Sequence, residues 1–150
     1  MKITVRKALP ADSQALTRIS FAAKGYWNYP EEYFKIWKDE LTISGEYTEK
    51  NIVYTAEACN VLAGFYSIAH NNEGYLLDHL FILPQFIGRG LGTALIRHAK
   101  AVCRDIGCGR LKIFADPHSR GFYLKIGAVY IGEYPSSIPG RNIPLFTLYV

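Results

Sequence analysis

The sequence predicts one α+β domain spanning residues 1–150, with a mixed, mostly antiparallel sheet of about seven strands and about four helices. Three observations predict it. Apolar residues alternate with period two through residues 51–83, and the stretch is cut only by short polar links at Ala58–Asn60 and Asn71–Gly74. Links that short force neighbouring strands to run antiparallel. Two segments of helical period precede this region, and a further helix, strand, short helix and two strands follow it. A chain of 150 residues can bury roughly 70% of its unfolded surface as one unit.

In order, "KITVRKA" alternates as a strand. Asp12 can then cap a helix, "SQALTRISFAAKGYW", with Leu16, Ile19 and Ala23 at helical spacing. "NYP" interrupts, and Pro30 suits the first turn of a second helix, "EEYFKIWKDELTI", whose apolar face is Phe34, Trp37 and Leu41. The three period-two strands follow. After Pro84 comes a long helix with Leu91, Leu95, Ala99, Val102 and Ile106 facing the core, ended by Gly107. "RLKIFA" is a strand, Asp116 and Pro117 open a short helix that Gly127 ends, and "AVYIGEY" and "PLFTLYV" close the chain as strands.

Composition narrows the function classes. Half the residues are hydrophobic, mean hydropathy is near zero, and no repeat or biased segment stands out, as expected of an ordinary globule. "MKITVRKALP" lacks the apolar run of a signal peptide, so a cytoplasmic location without membrane attachment is expected. Cys59, Cys103 and Cys108 form no C-x-x-C pair, which argues for reduced thiols and against a zinc site; no metal is expected. Net charge is +4, unevenly spread: residues 88–125 hold eight Lys or Arg against two acids, whereas residues 51–87 hold no basic residue. Without interleaved aromatics or a recognisable motif, the basic segment reads mainly as solvated helix faces, and no nucleic-acid partner is expected.

The long helix opens on "LPQFIGRGLGTAL", where Gly88, Gly90 and Gly92 stand at alternate positions. Glycine allows a sharp turn or a close approach, and a helix start offers unpaired N–H groups to an anion. A P-loop is excluded because Gly92 is followed by Thr93 and Ala94 rather than Lys and Ser or Thr. The spacing is G-x-G-x-G, not the G-x-G-x-x-G of a dinucleotide site. Asp116, at the end of the next strand, mimics the ribose-binding acid of such sites, but the antiparallel strands before it and the short remaining chain disagree with that fold.

"LFILPQFIGRGLGTAL" and "FYLKIGAVYIGE" together resemble the two signature blocks of the GNAT superfamily of acyl-CoA-dependent N-acyltransferases. Gly90 and Gly92 match the two required glycines of its pyrophosphate motif, while Ile87 stands where Gln or Arg is usual. The order of elements also matches, over nearly the whole chain. The resemblance implies transfer of an acetyl group from acetyl-CoA to a primary amine, of a small molecule or a peptide, in a ternary complex. Homodimerisation is compatible with it. It implies that Phe81, Ile82, Leu83, Ile87, Gly88, Arg89, Gly90, Leu91, Gly92 and Thr93 line the coenzyme site, with His118 and Tyr123 beside it. Tyr123 resembles the general acid that protonates the leaving thiolate, set against a role as a wall-packing tyrosine. Phe122 and Ile126 should face the core and leave Tyr123 on another side.

For the general base, Asp78 and His79 sit in a strand where neighbours point to opposite faces, so only one should meet the acyl group. His79 is preferred because its pKa lies near working pH and similar members carry an acid–His pair here; a half-buried structural histidine competes. "GYWNYP" resembles one wall of the acceptor site, where Tyr26, Trp27 and Tyr29 could stack on an acceptor or pin two helices together. "PSSIPGR" could form the opposite wall, with Arg141 either meeting an acceptor carboxylate or standing solvated in its loop. A different class, a module that binds acyl-CoA or a nucleotide without turnover, is the alternative.

Overall fold

The computed structural model describes residues 1–150. β1 (Ile3–Lys7) leads through a short 3-10 turn to α1 (Ser13–Gly25), then α2 (Glu31–Leu41) and α3 (Gly45–Lys50). β2 (Ile52–Ala58), β3 (Val61–Asn71) and β4 (Gly74–Ile82) form the expected hairpins, followed by α4 (Leu91–Ile106), β5 (Arg110–Phe114), α5 (Arg120–Lys125), β6 (Val129–Pro135) and β7 (Asn142–Tyr149). The seven strands make one sheet in the order β1-β2-β3-β4-β5-β7-β6, parallel only between β4 and β5.

Most differences from expectation have local causes. The second helix stops at Leu41, and Ser44 starts a fifth helix, α3, by accepting the Tyr47 N–H at 3.0 Å. Asp12 does not cap α1. Its carboxylate turns back to the Leu9 N–H at 2.8 Å and to Arg6 at 2.9 Å, because a guanidinium is the stronger partner. On α4 the buried stripe is Leu91, Leu95, Ala99 and Cys103 with Ile96, a four-residue spacing that drifts away from Ile106, which is 40% exposed.

The helices cover the sheet unequally. α4 packs on one face against Ala56, Tyr66, Ile68 and Leu77, and its cluster continues to Leu111, Ile113 and Phe146. α1 lies on the other face, with Leu16 and Ile19 against Val53, Phe65 and Ile43. Each fully buried large side chain contributes about 1.5–3 kcal/mol, so these two layers hold the fold. A third cluster joins Trp37 and Leu41 of α2 to Ile138 in the β6–β7 loop, with Phe81 of β4 packed on it. Cys103 and Cys108 are buried, Cys59 is exposed, and all three are free. No helix is long and apolar enough to cross a membrane.

Candidate active site

The site is a gap in the sheet. β4 and β5 run parallel but pair only at Leu76↔Lys112, after which β4 stays with β3 and β5 with β7. At the open end Leu83 N–H donates to Ala63 O at 2.7 Å and Ala115 N–H to Pro144 O at 2.9 Å, so both strands bond away from each other. Leu76 is five residues before Phe81, and Lys112 is four before Asp116, so those two side chains flank the gap at the same level.

One wall is the start of α4, and its three glycines do different jobs. Gly88 and Gly90 have φ of 79° and 86°, the left-handed region that favours glycine, and a Cβ at either would meet nothing within 4 Å. Gly92 is ordinary helix, but a Cβ there would lie 3.0 Å from the Phe122 ring, so it lets α5 pack against α4. Gly90 is the N-cap and no side chain caps it; the Ala94 N–H is the first to find a helical carbonyl, Gly90 O at 3.0 Å. The N–H groups of Leu91, Gly92 and Thr93 therefore face the open space with the positive end of the helix dipole. Arg89 lies over the Phe86 ring, 5.6 Å from its centre, and Ile87 is 48% exposed. Farther along, Arg97 and Lys100 of α4 meet Lys125 of α5 around a cavity of about 290 Å³ whose lining includes no acid. Sequence reading took these cations as solvated faces, although the three-residue spacing of Arg97 and Lys100 places both on one side of α4.

Tyr123 projects from α5 into this region. It is the buried residue of its helix, 6% exposed, packed on Phe146 and Phe122 at 5.7 and 5.2 Å between ring centres. Phe122 and Ile126 do pack against the core as expected, but Tyr123 is buried in it too, with Phe122 lying against Gly92. The Tyr123 hydroxyl makes no hydrogen bond, yet no buried side-chain polar atom in the chain lacks a partner, so the hydroxyl is reached by solvent. Burial, and then the charge of Asp116, push its pKa up, which keeps the hydroxyl protonated.

The polar centre of β4 also departs from simple alternation. The register against β3 slips between Ser67↔His79 and Ile68↔Leu77, leaving Asp78 as the extra residue of a bulge. Asp78 and His79 consequently serve one cluster instead of opposite faces. Tyr47 of α3 donates to Asp78 Oδ2 at 2.5 Å, and His79 Nδ1 lies 3.6 Å from the same oxygen. His79 Nε2 sits 2.8 Å from Glu40 O and so must carry the proton, leaving Nδ1 to accept from Ser67 Oγ at 2.7 Å. Both ring nitrogens of this buried histidine are committed, whereas the Asp78 side chain remains 34% exposed. Burial, and then Asp78, hold the Tyr47 pKa well above its ordinary value. Tyr47 and Ser67 escaped sequence reading because they lie in other elements.

The opposite wall gathers side chains from distant segments. Asp116 follows β5, accepts the His118 N–H at 2.9 Å as a cap, and binds Lys24 Nζ and the Tyr29 hydroxyl, each at 2.8 Å. Arg141 donates from Nη2 to the Tyr29 hydroxyl at 2.8 Å and is 3.9 Å from Asp116. Its side chain is 16% exposed, which removes the solvated-loop reading. Burial raises the Asp116 pKa, but Lys24, the His118 N–H and Tyr29 outweigh it and hold the carboxyl at about 2. For Lys24 the balance goes the other way: burial wins over Asp116 and its pKa is lowered. His118 stacks on Trp27 at 4.3 Å and bonds to Asp116, so it belongs to this wall. Trp27 and Tyr29 join the cluster, whereas Tyr26 only edges onto Trp27 and is 49% exposed. Lys24 and Asp116 were missed as site residues; a lysine within the apolar "FAAKGYW" was the available signal.

A family model described as the acetyltransferase (GNAT) family matches residues 15–128. Among solved structures, a GCN5-related N-acetyltransferase from Rhodopseudomonas palustris is 23% identical with a TM-score of 0.85, covering 100% of this chain and 97% of its own. The PaiA N-acetyltransferase from Thermoplasma acidophilum, in complex with coenzyme A, is 18% identical with a TM-score of 0.78, and 100% of both chains is covered. A GNAT family acetyltransferase from Brucella melitensis, in complex with acetyl-CoA, is 18% identical with a TM-score of 0.67, covering 99% of this chain and 88% of the other. No curated protein matches the chain.

Proposed function

Because this chain belongs to the acetyltransferase (GNAT) family, whose acyl donor is acetyl-CoA, we propose that it transfers an acetyl group directly to a primary amine, with both substrates bound at once. The observation that carries the reading is the Tyr123 hydroxyl, left without a hydrogen bond and reached by solvent on an otherwise buried side chain of α5. The residues present fit the donor. Open space at Gly88 and Gly90 leaves room for a diphosphate against the free N–H groups of Leu91, Gly92 and Thr93, flanked by Arg89. Each charge-assisted bond there is worth about 1.5–3 kcal/mol. Arg97, Lys100 and Lys125 offer further positive charge beyond it. Ile87 supplies no polar group, but the backbone donors do not depend on it. Phe81, Ile82 and Leu83 form the β4 edge of the gap.

When bound, acetyl-CoA supplies the thioester carbonyl that the amine attacks. The chain must manage two protons. An ordinary alkylamine is protonated at pH 7, and freeing its lone pair costs roughly 4–5 kcal/mol. Asp78, the exposed acid of its cluster, takes that proton directly or through water, while Ser67, Tyr47 and His79 hold it in place. His79 positions rather than accepts, since both its nitrogens are already used. On the other side the Tyr123 hydroxyl delivers its proton to the departing sulfur, a step worth roughly 10²–10⁴-fold. The aromatic and charged wall around Tyr29 and Asp116 receives the acceptor.

The test is thiol release from acetyl-CoA on addition of a panel of primary amines. Sustained release that depends on the amine and yields its N-acetyl product is expected. Binding of acetyl-CoA with no release by any amine would favour a non-catalytic acyl-CoA-binding module.

A further inference from the structure

The wall opposite α4 gathers two cations, Lys24 and Arg141, around a single acid within it, Asp116. Lys24 and Asp116 form the tight pair, at 2.8 Å, and both oxygens of Asp116 are filled by Lys24, Tyr29 and His118. Arg141 stands farther off, with Nη2 3.9 Å from Asp116. A single N–H of its guanidinium is used, and the acceptor there is a neutral phenol, not a carboxylate. Nε and Nη1 make no hydrogen bond to protein, and since no buried side-chain nitrogen lacks a partner, both are reached by solvent. Glu40 is the other acid whose charge reaches this cluster, and it acts on Lys24.

Arg141 is also held in place. Its loop is closed by Ser136 N–H to Arg141 O at 2.9 Å and Arg141 N–H to Ile138 O at 3.1 Å, and Ile138 is buried against Trp37 and Leu41. The guanidinium lies over the Tyr29 and Trp37 rings, 4.9 and 5.5 Å from their centres. A planar fork fixed at its base, with free donors and only a 3.9 Å approach to an acid it shares with Lys24, matches a single planar anion. The same cluster packs on Phe81 at the rim of the gap.

We propose, building on the acetyl-transfer reading, that Arg141 binds a carboxylate of the acceptor, so that the preferred substrates are amines carrying a carboxylate of their own, as free amino acids do. Lys24 serves by neutralising Asp116, which would otherwise compete for the guanidinium.

The experiment compares matched pairs, each an amino acid and the amine left by removing its carboxylate, such as phenylalanine with phenethylamine and tryptophan with tryptamine. Turnover with acetyl-CoA and binding by calorimetry in the presence of coenzyme A are both measured. The carboxylate-bearing member should be preferred in kcat/KM by about 10²-fold or more, because a missing partner would leave the guanidinium unpaired. Arg141→Gln should collapse that ratio toward one by raising KM for the amino acid, and Arg141→Lys, which keeps the charge without the fork, should fall between. A thermal melt close to that of the unchanged protein ensures that the loop still folds. Equal turnover of the two members, or preference for the decarboxylated one, overturns the proposal while leaving acetyl transfer intact. Binding of amino acids that depends on Arg141 without any acetylation supports this inference and defeats the acetyl-transfer reading. Absence of both binding and turnover for every amino acid tried overturns the inference.

Discussion

The two walls of the gap are built from different materials. The α4 wall is backbone: glycines, free N–H groups and a helix dipole within one short stretch of chain. The facing wall is side chain, with Lys24 and Asp116 separated by 92 residues and Tyr29 and Arg141 by 112. Backbone sites tolerate little beyond the removal of side chains, so they fix residue types at fixed spacing. A side-chain wall can be assembled by any segments the fold brings together. The first suits a constant ligand, and the second suits one that differs between relatives.

The largest effect expected from breaking this contrast is at Gly90. Gly90→Glu should lower coenzyme A affinity by at least about 10²-fold by calorimetry, since it sets a charge of the wrong sign beside several charge-assisted donors. Gly92→Leu, two residues on, should instead lower stability, by roughly 1–3 kcal/mol in denaturant unfolding, because a large side chain there must displace the Phe122 ring. Unchanged affinity in the Gly90 variant would show that both glycines are only structural.

On the side-chain wall, Asp116→Ala should destabilise by about 3–5 kcal/mol, because it leaves Lys24 without its counterion. The same carboxylate sets an acid limit. Its folded pKa of about 2 lies below the ordinary aspartate value of 3.8, so its stabilisation is complete above pH 4 and disappears as pH falls toward 2. A loss of about 2 kcal/mol across that window, absent from Asp116→Asn, is expected in urea titrations.

Between the walls, Tyr123→Phe should cut kcat by about 10²-fold and leave acetyl-CoA affinity within a few-fold, with thermal stability little changed because the ring contacts persist. Intact turnover would assign the proton to water and the ring to packing.

The same contrast explains what was legible beforehand. The α+β class, both hairpins and the glycine turn could be read because period-two runs, short links and glycine spacing are local signals. Local rules also misplaced features. Alternation put Asp78 and His79 on opposite faces, whereas a one-residue bulge, which depends on β3, brings them together. Asp116 looked like a simple cap because its cap bond is local, whereas its bonds to Lys24 and Tyr29 are not. Spacing placed Phe122 and Ile126 toward the core, where they do pack, but it set Tyr123 on another side, whereas Tyr123 is buried in the same cluster. Arg141 gave no sign of its burial, which comes from a loop tied down by Ile138 against a helix a hundred residues earlier.

The lone pairing at Leu76↔Lys112 makes this sheet continuous in outline but nearly divided in its bonding. α4 spans β1 to β4, and α5 rests on β6, so each half has its own helix. At such a seam the backbone itself resists little, because parting the halves breaks one bridge between strands instead of a full ladder. Widening the cleft is therefore resisted by packing, because the α4 cluster reaches Leu111, Ile113 and Phe146 across the seam and Phe122 of α5 sits against Gly92, so side-chain fit and not strand bonding sets how far the halves part.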